Sequence, residues 1–448
     1  MYENDSYMSL RTTFQSVISL HQEELPYDLI DRDLSLPTDK SNIVTVTGVR
    51  RCGKSSLLKL AVNSLLKSGV EKERILYIGF DDERFSEMKV HDFDEILQAY
   101  REMFPHQSLK EVYMFFDEIQ LIEGWDLFVL RVYKDYCKNI FITGSTTEML
   151  SGEMSSALRG YPDEYKEQVL SFDEYLRFRN VRANRFTEAG AAVIRDEFKR
   201  YCVEGGFPKV VLTDEKSEKT KLLQSYFNTM LFRDLIEHYK IKSSPAAVKY
   251  FLKRVMANIT KPTGVNTIYN EMKSAGMKVS KDYLYDWLDY ACQIYLFDRV
   301  PKYSKSYTKE SLVPAKYYMA DMGLRNAVLQ PQSMDKGKAL ENIVFRRLKE
   351  NSTEEDKIFY FSEGKECDFV IQRSESIVQL IQVCWELTEE NYEREMSGLL
   401  AASEYTGCRN CKIITFDRTG SLEYRGLKVQ IEAAWRWGHS GGHRDRYV

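Results

Sequence analysis

Eight consecutive residues constrain this chain more than any other feature. Gly48-Val49-Arg50-Arg51-Cys52-Gly53-Lys54-Ser55 is a complete G-x-x-x-x-G-K-S. It follows the apolar run "SNIVTVTG" and precedes the amphipathic run "SSLLKLAVNSLLKSG", the strand-loop-helix setting such a motif requires. Its glycines let backbone N–H groups curl around a β-phosphate, Lys54 neutralises the β/γ oxygens, and the Ser55 hydroxyl suits Mg²⁺. Residues 48–56, Ser56 included, are therefore the expected nucleotide-binding loop, with ATP and Mg²⁺ as its ligands.

The surrounding pattern fits. "RILYIGFDD", "EVYMFFDEIQ" and "NIFITGS" read as buried strands, separated by helical runs such as "FDEILQAYREMF" and "WDLFVLRVYKDYC". That alternation predicts a parallel sheet covered by helices on both faces. Asp117 and Glu118 end the second of these strands. The aspartate is placed to support the metal, and the glutamate to polarise an attacking water. Thr143, Gly144 and Ser145 end the third, and Ser145 is the expected contact to the γ-phosphate.

These pieces resemble the AAA-type ATPases of bacteria and archaea that carry a further C-terminal domain. The resemblance also rests on "YIGFDDERF", "ITGSTTEMLSGEMSSALRG", "LSFDEYL", "GGFP", "FRDLIEHY" and "KYYMADMGLRNAV", and it covers nearly the whole chain after about residue 30. It implies an arginine beside the γ-phosphate, where charge develops as the bond breaks. Arg159 and Arg233 stand in suitable blocks. An arginine acting from a neighbouring subunit would make activity depend on a homo-oligomer.

The expected organisation is a P-loop core over 1–180, a helical lid over 181–240, a winged helix-turn-helix and connector over 241–335, a restriction-endonuclease-like (PD-(D/E)XK-like) α/β domain over 336–430 and a flexible tail over 431–448. Residues 300–335 read as loop-rich. Between 240 and 316 there are 14 Lys or Arg against six Asp or Glu, in a chain whose net charge is -4. Lys278, Ser280, Lys281 and Tyr283, near the start of the recognition helix, are the candidate DNA contacts. Asp282, Asp286 and Asp289 lie on the same helix and oppose phosphate, so a protein-contact spacer stands beside DNA binding.

In the last domain, Glu341 on a helix precedes Asp368 and Gln382 on adjacent strands, as in a nuclease core. Cleavage there needs an acidic pair for Mg²⁺ and a lysine. Gln382 is neutral, and Cys384 stands where the lysine belongs, with Lys365 the nearby substitute. A decayed core is favoured over an ATP-dependent nuclease. A nucleotide-switched binding module with little turnover is the other alternative, and the Asp117-Glu118 pair opposes it.

Eight scattered cysteines, no signal peptide and no apolar run of membrane-spanning length lead to a cytoplasmic expectation. Cys408 and Cys411 have metal-like spacing but lack a second ligand pair.

Overall fold

The structure, a computed structural model, describes residues 9–39, 42–144, 158, 160–305 and 314–437. Two compact units divide the chain: Met1–Gln168 with Gln293–Tyr295, and Val169–Cys292 with Leu296–Val448.

In the first unit, α1 (Leu10–Glu23) precedes β1 (Ile43–Thr47), and α2 (Lys54–Lys67) follows the glycine loop. Then come β2 (Ile75–Gly79), α3 (Asp94–Met103), β3 (Tyr113–Asp117), α4 (Trp125–Asp135), β4 (Asn139–Gly144) and β5 (Pro162–Lys166). The five strands are all parallel, in the order β2-β3-β4-β1-β5. Central strands of such a sheet are covered on both faces and read as unbroken apolar runs. Accordingly, every residue of β1 is buried. One face packs Phe116, Ile140 and Ile142 against α1, α3 and α4; the other packs Val44, Val46, Phe115 and Phe141 against α2. Register aligns Thr47 with Gly144, and Gly79 with Asp117, so the loop after β1 and the carboxyl-terminal tips of β3 and β4 share one edge.

The second unit opens with α5 (Phe172–Phe178), α6 (Glu188–Glu204), α7 (Pro208–Val211) and α8 (Lys216–Thr229), which continues as a π-helix over Met230–Glu237. Helices α9 (Pro245–Asn258), α10 (Val265–Ser274) and α11 (Lys281–Gln293) follow, then an antiparallel ribbon of β6 (Phe297–Val300) and β7 (Lys316–Met319). After α12 (Met322–Leu329) and α13 (Lys336–Asn351) come β8 (Asp356–Ser362), β9 (Glu366–Arg373), β10 (Ser376–Val383), α14 (Glu389–Thr406), β11 (Cys411–Thr415), β12 (Gly420–Tyr424) and β13 (Leu427–Ala433). Their sheet runs β12-β13-β11-β10-β9-β8. β8, β9 and β10 pair antiparallel, and β10, β11 and β13 pair parallel.

The first compact unit closes at Gln168, and α5 packs on α6 and α7 of the second. Two segments differ from expectation. The "loop-rich" 300–335 holds β7 and α12, both rich in buried residues. Residues 431–437 are no tail: β13 runs to Ala433, and the buried Trp435 donates its indole N–H to Asp417 at 2.9 Å. Among the described residues, no helix is long and apolar enough to cross a membrane.

Helix α14 approaches β9 closely at Gly398, where an added Cβ would lie 2.0 Å from the Glu366 carbonyl oxygen. Alanine there gains about 1 kcal/mol of helix propensity but forces α14 off the sheet, an overpacking cost of about 1–3 kcal/mol. Gly398→Ala should therefore lower stability by up to about 2 kcal/mol, read from denaturant midpoints; a gain in stability would contradict the packing.

Candidate nucleotide site and acidic cluster

Positive φ angles shape the glycine loop. Gly48, Arg51 and Gly53 have φ of +145°, +70° and +114°. A Cβ on Gly48 would sit 2.1 Å from the Glu167 carbonyl oxygen, so only glycine lets the loop lie against the end of β5. Gly53 begins α2 without a capping side chain, leaving that helix end suited to an anion. Behind the loop the buried Arg32 guanidinium donates to the carbonyl oxygens of Cys52 (3.0 Å) and Gln168 (2.9 Å) and pairs with the buried Glu167. Cys52 is itself fully buried, its Sγ 3.5 Å from the Glu167 carbonyl, and burial pushes its thiol up to about 11. Val49 is buried too, whereas Arg50 is half-buried and Arg51 exposed.

Lys54 is only 4% exposed; its ammonium donates to the carbonyls of Gly48 (3.1 Å) and Val49 (3.4 Å) and lies 3.8 Å from Glu118 Oε1. Asp117 is 5% exposed at the tip of β3. It accepts hydroxyl hydrogen bonds from Tyr77 (2.9 Å), Thr143 (2.5 Å) and Ser55. Burial, then the charge of Glu118, raise its pKa, and those three hydroxyls oppose the rise. A carboxylate so placed gains from a cation beside it. Ser55 and Asp117 in direct contact therefore fit a Mg²⁺ ligand pair, within a loop that fits phosphates.

Glu118 sits in the left-handed region (φ +53°), and its Oε2 accepts from Gln120 at 2.5 Å. The Thr143 hydroxyl accepts the Glu118 N–H at 2.8 Å, so this one buried side chain fixes both acids. Ser145, the expected γ-phosphate contact, lies outside the described residues, as does Arg159. Ser56 is half-buried in the first turn of α2. Arg233 is exposed on the π-helical stretch of the second unit.

The candidate nuclease residues gather at one end of the second sheet, but not as a metal site. Asp368 accepts the Val383 N–H through Oδ2 (2.9 Å). Gln382 is turned away: its oxygen accepts from the Asp368 backbone N–H (3.3 Å) and its amide donates to Glu395 (2.6 Å). Cys384 is buried in the apolar core, and burial pushes its thiol up to about 12, so it is neutral. Lys365 is exposed. The cation at this cluster is Lys316 of β7, with Nζ 3.2 Å from Glu341, 2.7 Å from Glu366 and 3.1 Å from Asp368. Burial opposes its charge, yet Glu341 and the other acids hold the ammonium protonated. Sequence reading missed Lys316 because it precedes Glu341 on a strand taken for a loop.

On α11, Ser280 caps the helix by accepting the Tyr283 N–H at 3.3 Å. Lys278, Lys281 and Tyr283 are exposed, and so are Asp282, Asp286 and Asp289. Among the described residues no group of three or more His, Cys, Asp or Glu side chains forms a metal-binding cluster, Cys408 and Cys411 included.

Removing Arg32 strands a buried carboxylate, which typically costs about 3–5 kcal/mol. Arg32→Met should destabilise the chain by about 3 kcal/mol, and adding Glu167→Gln should recover much of it. A double-mutant cycle on thermal unfolding checks this; additive losses would contradict the pairing.

Comparison with known proteins agrees with this geometry. The protein-family model described as "AAA domain" matches residues 40–176, and a domain of unknown function (DUF8612) matches 195–335. The uncharacterized protein MJ1544 of Methanocaldococcus jannaschii is 30% identical over 419 residues, 91% of each chain. An uncharacterized protein of Haemophilus influenzae is 30% identical over 364 residues, 80% of this chain and 86% of its own. Among solved structures, AMPPCP-bound DnaA from Aquifex aeolicus shares 16% identity at a TM-score of 0.26, covering 61% of this chain and 85% of its own. The Aeropyrum pernix ORC1 protein in complex with DNA shares 11% at 0.30, covering 70% and 92%. Scores this low do not relate the architectures. The family match, the parallel sheet and the phosphate loop identify an AAA-type P-loop domain, and the chain belongs to the family of the M. jannaschii and H. influenzae proteins.

Proposed function

We propose that this protein hydrolyses ATP with Mg²⁺ at the edge formed by the glycine loop and the tips of β3 and β4, and that nucleotide state shifts its C-terminal domains. The observation carrying this reading is the meeting of Lys54, the Ser55–Asp117 pair and Glu118 at one edge. Loop amides and Lys54 would hold the phosphates, Lys54 exchanging its own loop carbonyls for phosphate oxygens. Ser55 and Asp117 would hold Mg²⁺, which supplies charge neutralisation at the transferring phosphoryl group. Glu118 would take the proton of the attacking water, with Thr143 fixing its backbone. Arg159 and Arg233 are the proposed arginines for the developing charge, and an arginine supplied by a second copy would tie turnover to assembly.

Helices α9, α10 and α11 with the β6–β7 ribbon are read as a winged helix-turn-helix. The block from α13 to β13 is read as a nuclease-type fold that no longer cleaves. The exposed Lys278, Lys281 and Tyr283 favour a second reading, in which that winged helix contacts DNA. The exposed aspartates of α11 oppose it, and Lys316, buried among acids, adds nothing to a basic surface.

Glu118→Gln should lower ATP turnover about a hundredfold or more while leaving ATP binding within a fewfold of wild type. Phosphate release and nucleotide titration read the two separately, and wild-type turnover in this variant would contradict the assignment. Duplex DNA should raise turnover if the second reading holds, and Lys278→Glu with Lys281→Glu should abolish the increase.

A further inference from the structure

We propose that Lys316 is the resident cation of the site formed by Glu341, Glu366 and Asp368, and that it closes this site to divalent metal ions. An ammonium has three N–H donors and no acceptor. Here Nζ donates to Glu341 at 3.2 Å and to Asp368 at 3.1 Å, and it pairs with the Glu366 carboxylate at 2.7 Å. The acceptors are engaged as well: Tyr318 donates its hydroxyl to the same Glu341 oxygen at 2.8 Å, and Asp368 Oδ2 accepts the Val383 N–H.

A divalent ion shared by Glu341 and Asp368 would need oxygens at about 2.0–2.6 Å. That position coincides with the ammonium, and an ion beside it would meet a fixed like charge at close range. Lys316 has no easy retreat. Its side chain is fully buried, and Tyr360 lies under the ammonium at 5.5 Å. Its strand is tied through the ribbon to β8. Lys316 pairs with Val300 across the ribbon, and the chain beyond β6 joins β8. There the Tyr303 N–H donates to the Tyr360 carbonyl (2.7 Å), and the Tyr360 N–H to that of Pro301 (3.1 Å). The lysine is thus built in from an earlier segment, where it substitutes for a metal.

This deepens the reading of the domain as nuclease-type and non-cleaving. Its test reads metal binding, so it fails separately from any result on cleavage. Nucleotide-free, chelator-treated full-length protein is titrated with Mn²⁺ and free ion is followed by electron paramagnetic resonance. Wild type, Asp368→Asn and Glu341→Gln should give superimposable curves. Lys316→Met, shown folded by circular dichroism, should bind one further Mn²⁺ about a hundredfold more tightly than wild type, and adding Asp368→Asn should abolish that binding. Wild-type binding that Asp368→Asn removes would overturn the proposal, as would a folded Lys316→Met that gains none. The wild-type comparison decides the matter even if Lys316→Met does not fold.

Discussion

The edge that carries the glycine loop is organised around one buried carboxylate, Asp117. Three hydroxyls, from Tyr77, Thr143 and Ser55, hold it, and its pKa still rises because burial and Glu118 outweigh them. Hydroxyls from β2, β4 and α2 converge on it because the parallel register brings those strand tips and the start of α2 to one edge. The glycine loop can lie there only because Gly48 has no side chain to strike the end of β5 and Arg32 ties the loop from behind.

The second unit answers the same physical problem in the opposite way. Glu341 and Asp368 are also carboxylates withdrawn from water beside strand ends, but a lysine of the same chain neutralises them. A buried charge needs a partner. In one unit the proposed partner is an ion that comes and goes with nucleotide, and in the other it is covalently part of the fold. The Gln382 side chain accepts the Asp368 N–H and donates to Glu395 beside this cluster.

Much of this was legible in the sequence, because it is local. The loop glycines, Lys54, Ser55 and the Asp117-Glu118 pair lie at the ends of apolar runs whose direction fixes where their side chains emerge. The α9–α10–α11 succession and the Ser280 cap were legible for the same reason. What escaped depends on contacts distant in sequence. Lys316 sits on a four-residue strand too short for periodicity to reveal, and it meets Asp368 only because the ribbon joins β8. The role of Thr143 escaped because only the pairing of β4 beside β3 brings its hydroxyl to Asp117.

Steady-state ATP turnover by the full-length chain, measured with Mg²⁺, with chelator, and in Lys54→Ala, tests the proposed hydrolysis most directly. Turnover should require Mg²⁺ and disappear in Lys54→Ala. Turnover that persists in chelator or in Lys54→Ala would contradict hydrolysis at this site.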